Sequence, residues 1–161
     1  MKLSDLEGDM DGPIDFLDRP VSQDLILELL NHAVWAPNDG LREPWRFIFA
    51  DNQYGDIMQG LQNQAPAYLL VLVKEEADQY KREEDFAAVC CLIQNFRLLA
   101  HEQSLGVRCT LHDWMYDPSR TEMFGVLSNE RIAAVLELGY GAKQWKENTE
   151  LPETQLHFEL L

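Results

Sequence analysis

The sequence predicts a single domain of mixed helix and strand whose core is completed by a second copy of the chain. Three segments carry that reading. Residues 67–73 (AYLLVLV) are apolar on both faces, as a strand inside a sheet must be. Within residues 81–104 the run FAAVCCLI is apolar on every side, so a helix there needs cover from the rest of the fold or from another subunit. Near the end of the chain, Leu156, Phe158 and Leu160 alternate with Gln155, His157 and Glu159, the period of a half-buried strand. Such a strand needs a sheet edge, and a partner subunit can supply one.

The other elements follow in order. Residues 21–36 read as an amphipathic helix, with Leu25, Ile26, Leu29, Leu30, Ala33 and Val34 at helical spacing. Ser22 can cap it, Asp24 suits its first turn and Pro37 stops it. Residues 45–50 form a short aromatic strand, and residues 53–63, broken by Gly55 and Gly60, a weaker helix. The long helix opens on the solvated turn KREED and is ended by Gly106. Residues 108–112 are expected as a strand, 118–124 as a short helix and 132–138 as a third buried strand.

Composition bounds the function. Thirteen Lys and Arg against 28 Asp and Glu leave a formal charge of −15, which argues against a nucleic-acid partner. Residues 65–73 are too short an apolar run to cross a bilayer, and residues 1–18, with six acids and one Lys, resemble no leader. Three cysteines without CxxC spacing point to reduced thiols and a cytoplasmic setting. The domain is expected to span residues 1–161, with an acidic arm at 1–18 and a tail at 144–161 that packs on the partner subunit.

The search for catalytic groups returns little. His32, His101, His112 and His157 form no HxxH or HExxH, so no metal site is expected. Cys109 and His112 resemble a nucleophile and base, but on a strand an odd separation puts them on opposite faces. A buried thiol and a polar-face imidazole is the favoured reading, and Cys90 and Cys91 read as small core residues. Asp113 and Asp117 read as solvated acids rather than a carboxylate pair. Gly139-Tyr140-Gly141 is only GxG and lacks a following helix. Two segments look specialised: residues 35–45 (WAPNDGLREPW), a loop pinned by two tryptophans and two prolines, and residues 106–114 (GVRCTLHDW). In the loop, presenting groups to a ligand and serving as a rigid connector with core tryptophans stand as equal alternatives.

These segments resemble the nitroreductase family of flavin enzymes. The match begins at Asp18-Arg19-Pro20-Val21-Ser22, runs through WAPNDGLREPWRF, resumes at APAYLLVLV and EDFAAVCCLIQNFRLLAHEQSLGV, and ends at IAAVLELGY, covering about residues 16 to 143. The resemblance implies an α+β fold, a mixed sheet flanked by helices, in an intertwined homodimer whose terminal strands reach across. It implies FMN bound at the interface, with hydride passing from NAD(P)H to the flavin and on to a nitroaromatic, quinone or similar small acceptor. The flavin then carries the chemistry, so no dedicated catalytic residue is expected. Carried over by position, Trp35, Pro37 and Asn38 would sit beside the flavin, Thr110 would approach it from the other subunit, and Lys143 stands near the phosphate.

The sequence also departs from the family. Its Arg-Arg-Ser phosphate grip falls on Met10, Asp11 and Gly12; Asp39 stands where His is frequent; a Trp-Arg pair after the long helix reads Cys109-Thr110; and the basic tail is reduced to Lys143 and Lys146. A charge-assisted hydrogen bond contributes about 1.5–3 kcal/mol, so losing two lowers phosphate affinity by roughly two to four decades. Arg42, Arg46 and Arg108 are the candidate replacements. The alternative function is therefore a dimer that keeps the fold without flavin, as a binding module or pseudoenzyme.

Overall fold

The computed structural model describes residues 14–51, 65–143 and 157–159. In chain order these form β1 (Ile14–Phe16), α1 (Gln23–Ala33), β2 (Trp45–Asp51), β3 (Ala67–Lys74), α2 (Gln79–Glu102), β4 (Gly106–Thr110), α3 (Pro118–Met123), β5 (Glu130–Gly139) and β6 (Gly141–Lys143). The helix expected at residues 53–63 lies outside the described residues, as do Met10, Asp11 and Gly12.

The helix ends follow their caps. The Ser22 hydroxyl accepts from the Leu25 N–H at 3.4 Å and starts α1, which buries Ile26, Leu29, Leu30 and Ala33. Asp78 accepts from the Lys81 N–H at 2.9 Å, so α2 begins at Gln79 rather than at residue 81. It stops before Ser104, whose φ of +57° breaks it; Gly106 opens β4 instead of closing the helix.

The main sheet has the order β2-β3-β5-β4, and every pairing in it is antiparallel. The expected mixed sheet is thus replaced, among the described residues, by an antiparallel one. The reason is the placement of β5: α2 carries the chain from β3 to a parallel β4, but β5 lies between them, antiparallel to both. The α+β class stands.

Alternation sorts the strand residues onto two faces. Leu69, Val71, Val73, Leu136, Leu138 and Val107 pack under α1 and α2. Tyr68, Leu70, Leu72, Ile132 and Val135 face Phe16, Trp114, Met115 and Phe124 on the other side. That second face carries a polar row, the buried Tyr68 and Glu137 and the half-buried Arg108, set by strand register. Glu137 is fully buried and paired with Arg108, and burial pushes the Tyr68 hydroxyl above its usual range.

β1 and β6 form a separate ribbon, unforeseen in the sequence, with Ile14 opposite Lys143 and Phe16 opposite Gly141. It explains the GxG tripeptide. A Cβ on Gly139 would stand 2.6 Å from the Phe16 ring, and one on Gly141 2.6 Å from an Ile14 methyl. The glycines let β1 cross close to β5 and β6.

α2 differs from expectation on its outer side. Within one chain it buries only Asp85, Ala88, Val89, Leu92, Phe96 and Ala100, spaced on one face, while Cys90 and Cys91 are exposed rather than core residues. Of the tail, His157–Glu159 are described and form no strand with the other described residues; Phe158 is exposed. No helix among the described residues is long and apolar enough to cross a membrane.

Candidate functional site

The loop between α1 and β2 is held at several points. Past Ala33 the Trp35 and Ala36 N–H groups still donate to His32 and Ala33 carbonyls, at 3.3 and 3.2 Å, carrying the chain to Pro37. Asn38 then staples the loop: its Nδ2 donates to the Ala36 carbonyl at 3.2 Å, and its Oδ1 accepts from the Glu43 N–H at 3.2 Å. One Nδ2 proton and one Oδ1 lone pair of Asn38 are thus used within the loop, which fixes the orientation of its amide. At the far end the Lys74 N–H donates to the Pro44 carbonyl at 2.9 Å, tying the loop to β3.

Between these ties the backbone is strained. Gly40, Leu41 and Glu43 have φ of +58°, +52° and +47°, and left-handed backbone at a non-glycine residue costs of order 1–3 kcal/mol. The surrounding contacts impose it. Arg42, between Leu41 and Glu43, reaches Asp85 on α2 through Nε at 3.1 Å and Nη2 at 2.6 Å, and Asp85 is only 2% exposed. The two tryptophans divide. Trp45 packs against the core under the helices, whereas Trp35 is 82% exposed. Of the two readings of this loop, connector and presenter, Trp45 fits the first and Trp35 the second.

The candidate replacement arginines are engaged elsewhere. Besides the Arg42–Asp85 pair, Arg46 grips Glu130 with Nε at 2.9 Å and Nη2 at 2.6 Å and donates to the Gly125 carbonyl at 2.8 Å. That hydrogen-bonded guanidinium holds the Glu130 carboxyl below its ordinary range. Arg108 is paired with Glu137. Sequence reasoning missed these partners because they lie 43, 84 and 29 residues away in the chain.

At the other edge of the sheet, Thr110 ends β4. Its Oγ1 lies 3.0 Å from His112 Nε2 and donates to the Val135 carbonyl at 3.2 Å. The His112 ring stacks on Trp114, centroids 5.9 Å apart, and Trp114 stacks on Phe124 at 4.9 Å. Cys109 is exposed, not the buried thiol expected, because β4 is an edge strand. Asp117 caps α3 through Ser119, its Oδ1 accepting from the Ser119 N–H at 3.0 Å, so it is a structural acid.

One chain does not bring these groups together. Register places Thr110 in a row with Val135, Leu70 and Ile48, three strand steps from β2, or about 14 Å across the sheet. Lys143 pairs its backbone with Ile14 on the β1–β6 ribbon, and its side chain lies outside the described part. Trp35, Pro37 and Asn38 thus cluster on one loop, Thr110 stands on the opposite edge strand, and Lys143 lies on the β1–β6 ribbon.

No family model matches the chain. The Bacillus subtilis (strain 168) protein that carries the name NAD(P)H nitroreductase YfhC is 33% identical over 149 residues, covering 78% of this chain and 77% of that one. The chain belongs to the nitroreductase family. A nitroreductase-like family protein from Bacillus cereus has the same fold at 30% identity, with a TM-score of 0.80 over 94% of this chain and 92% of its own. A point variant of the FMN and NADPH-dependent nitroreductase NfnB from Sphigopyxis sp. strain HMH shares the fold at 14% identity, with a TM-score of 0.73 over 89% of this chain and 90% of its own.

Proposed function

We propose that this chain is an FMN-dependent oxidoreductase of nitroreductase type, taking electrons from NAD(P)H and passing them to a nitroaromatic, quinone or similar small acceptor. The observation that carries the reading is the stapled, left-handed loop at residues 36–44. Strain of this kind persists where a segment must present groups in one arrangement, and here it presents Trp35, Pro37 and the Asn38 backbone. An exposed indole beside fixed backbone suits a flat aromatic ring. When bound, the flavin supplies the redox chemistry, and the chain's residues position it and shape its surroundings. The relatives support the cofactors: one carries the name of an NAD(P)H nitroreductase and another of an FMN and NADPH-dependent nitroreductase.

The reading includes a homodimer. The loop and Thr110 are half-sites at opposite edges of one sheet, and a second copy with its Thr110 near the first copy's loop would complete them. The uncovered outer side of α2 and the exposed Phe158 suit such a partner. Residues 1–161 then form one domain whose tail packs on the partner, with Lys143 near the phosphate. Three exposed cysteines without CxxC spacing suit a reducing compartment such as the cytoplasm.

One observation favours the second reading, a flavin-less dimer. Arg42, Arg46 and Arg108, which could have replaced the missing grip, are each committed to a carboxylate. The visible absorption spectrum, taken after purification and again after incubation with FMN and desalting, separates the two. A retained flavin spectrum, with NADH or NADPH oxidation dependent on a nitroaromatic, supports the enzyme. A colourless protein after both steps supports the binding module.

A further inference from the structure

We infer that His112 is a positioning residue for Thr110, and that the ligand group Thr110 meets is a hydrogen-bond donor. The inference rests on the flavin reading above for its ligand, but its geometry belongs to the chain alone. Thr110 Oγ1 carries one proton and two lone pairs. Among the described residues it has two hydrogen-bond neighbours, His112 Nε2 at 3.0 Å and the Val135 carbonyl at 3.2 Å.

The carbonyl can only accept. If the hydroxyl proton pointed at His112, the hydroxyl and the Val135 carbonyl would face each other lone pair to lone pair, in a row where Val135 is fully buried. With the hydroxyl proton on the carbonyl and an Nε2–H on the hydroxyl, each proton is used once. Neutral His112 is then the Nε2–H tautomer. Its ring is held for this by stacking on Trp114, and its backbone by the His112 N–H to Met115 Sδ contact at 3.2 Å.

The consequence is a defined polarity. Thr110 Oγ1 has no proton left to offer and one lone pair open. It can receive a ribityl hydroxyl or a ring imide N–H, and it discriminates against a carbonyl oxygen in that place. His112 touches no ligand in this scheme; it acts by fixing the hydroxyl.

Two measurements test this. Long-range proton–nitrogen correlation spectra of the unliganded full chain at pH 8.5 should report a protonated Nε2 on His112; an Nδ1–H signature overturns the inference. Flavin fluorescence quenching should then show His112→Phe, which keeps the stack on Trp114 and loses the donor, weakening riboflavin binding about five- to tenfold. Thr110→Val should match it, the double variant should be no weaker than either, and His112→Gln should recover most of the affinity at an unchanged melting temperature. Lumiflavin, which lacks the ribityl chain, names the donor: loss with riboflavin alone means a ribityl hydroxyl, and loss with both means the imide. Loss with neither, or additive losses in the double variant, overturns the inference. If the wild type binds no flavin at all, the proposed function fails, and the tautomer alone decides the role of His112.

Discussion

At the β2 edge, Trp35, Pro37 and Asn38 are presented on a backbone forced through three left-handed residues and latched to α2 by Arg42. At the β4 edge, Thr110 is presented on regular strand and fixed by side-chain hydrogen bonds to His112 and Val135. The first half-site stores strain and depends on a buried charge; the second is relaxed and depends on proton placement. The same fold therefore fixes these two candidate half-sites by two means, and each should fail differently when disturbed.

The largest effect is expected where the loop is latched. Asp85→Ala removes the buried partner of Arg42, which keeps only the longer contact to Glu84 at 3.5 Å, and should destabilise the protein by about 2–3 kcal/mol. Chemical denaturation measures it, and a loss under 1 kcal/mol would mean the latch is not what holds the loop. Gly141→Ala tests the ribbon beside the β4 edge. The added methyl meets Ile14 and the Asp15 carbonyl and should cost about 1–3 kcal/mol in the same assay.

Arg46→Met is smaller and depends on pH. Arg46 lowers the folded-state pKa of Glu130, so the pair stabilises the fold above the unfolded carboxylate value, about 4.3, and the contribution is lost as pH falls through the lower folded value. The variant should be less stable by up to about 1 kcal/mol at neutral pH, Arg46 being partly exposed, with the gap closing in acid. Denaturation midpoints of both proteins across pH 3–7, on the order of that carboxylate window, check the sign. The smallest change sharpens the strain argument. Leu41→Gly relieves a left-handed leucine whose side chain is exposed, offset by a freer unfolded chain, and should stabilise by about 0.5 kcal/mol. Melting temperature reads it, and a destabilised variant would contradict strain at Leu41.

Much of the scaffold was legible because it follows local rules. Ser22 and Pro37 bracket α1, and residues 67–73 had to be central in a sheet. What escaped was non-local. The apolar run around Cys90 and Cys91 hides a helical face, since at 100° per residue those thiols turn away from Val89, Leu92 and Phe96. Ile14–Phe16 is too short and too close to acids to read as a strand; its trace is the pair Gly139 and Gly141, which resembled a failed nucleotide motif. Within the site, the resemblance selects Asn38, but that its amide staples the loop depends on Glu43 adopting a positive φ that no glycine announces. In the sequence His112 stands out as a candidate metal ligand or a base for Cys109, whereas its partner is Thr110, two residues away.

The claim that joins both edges is that one flavin bridges the loop of one copy and Thr110 of another. Sedimentation velocity of the full chain with FMN, detected in the visible flavin band, tests it most directly. Flavin absorbance moving with a species of twice the 18.6 kDa chain mass, and absent from the monomer boundary on dilution, is the result predicted. Flavin moving with the monomer would contradict a site shared between copies.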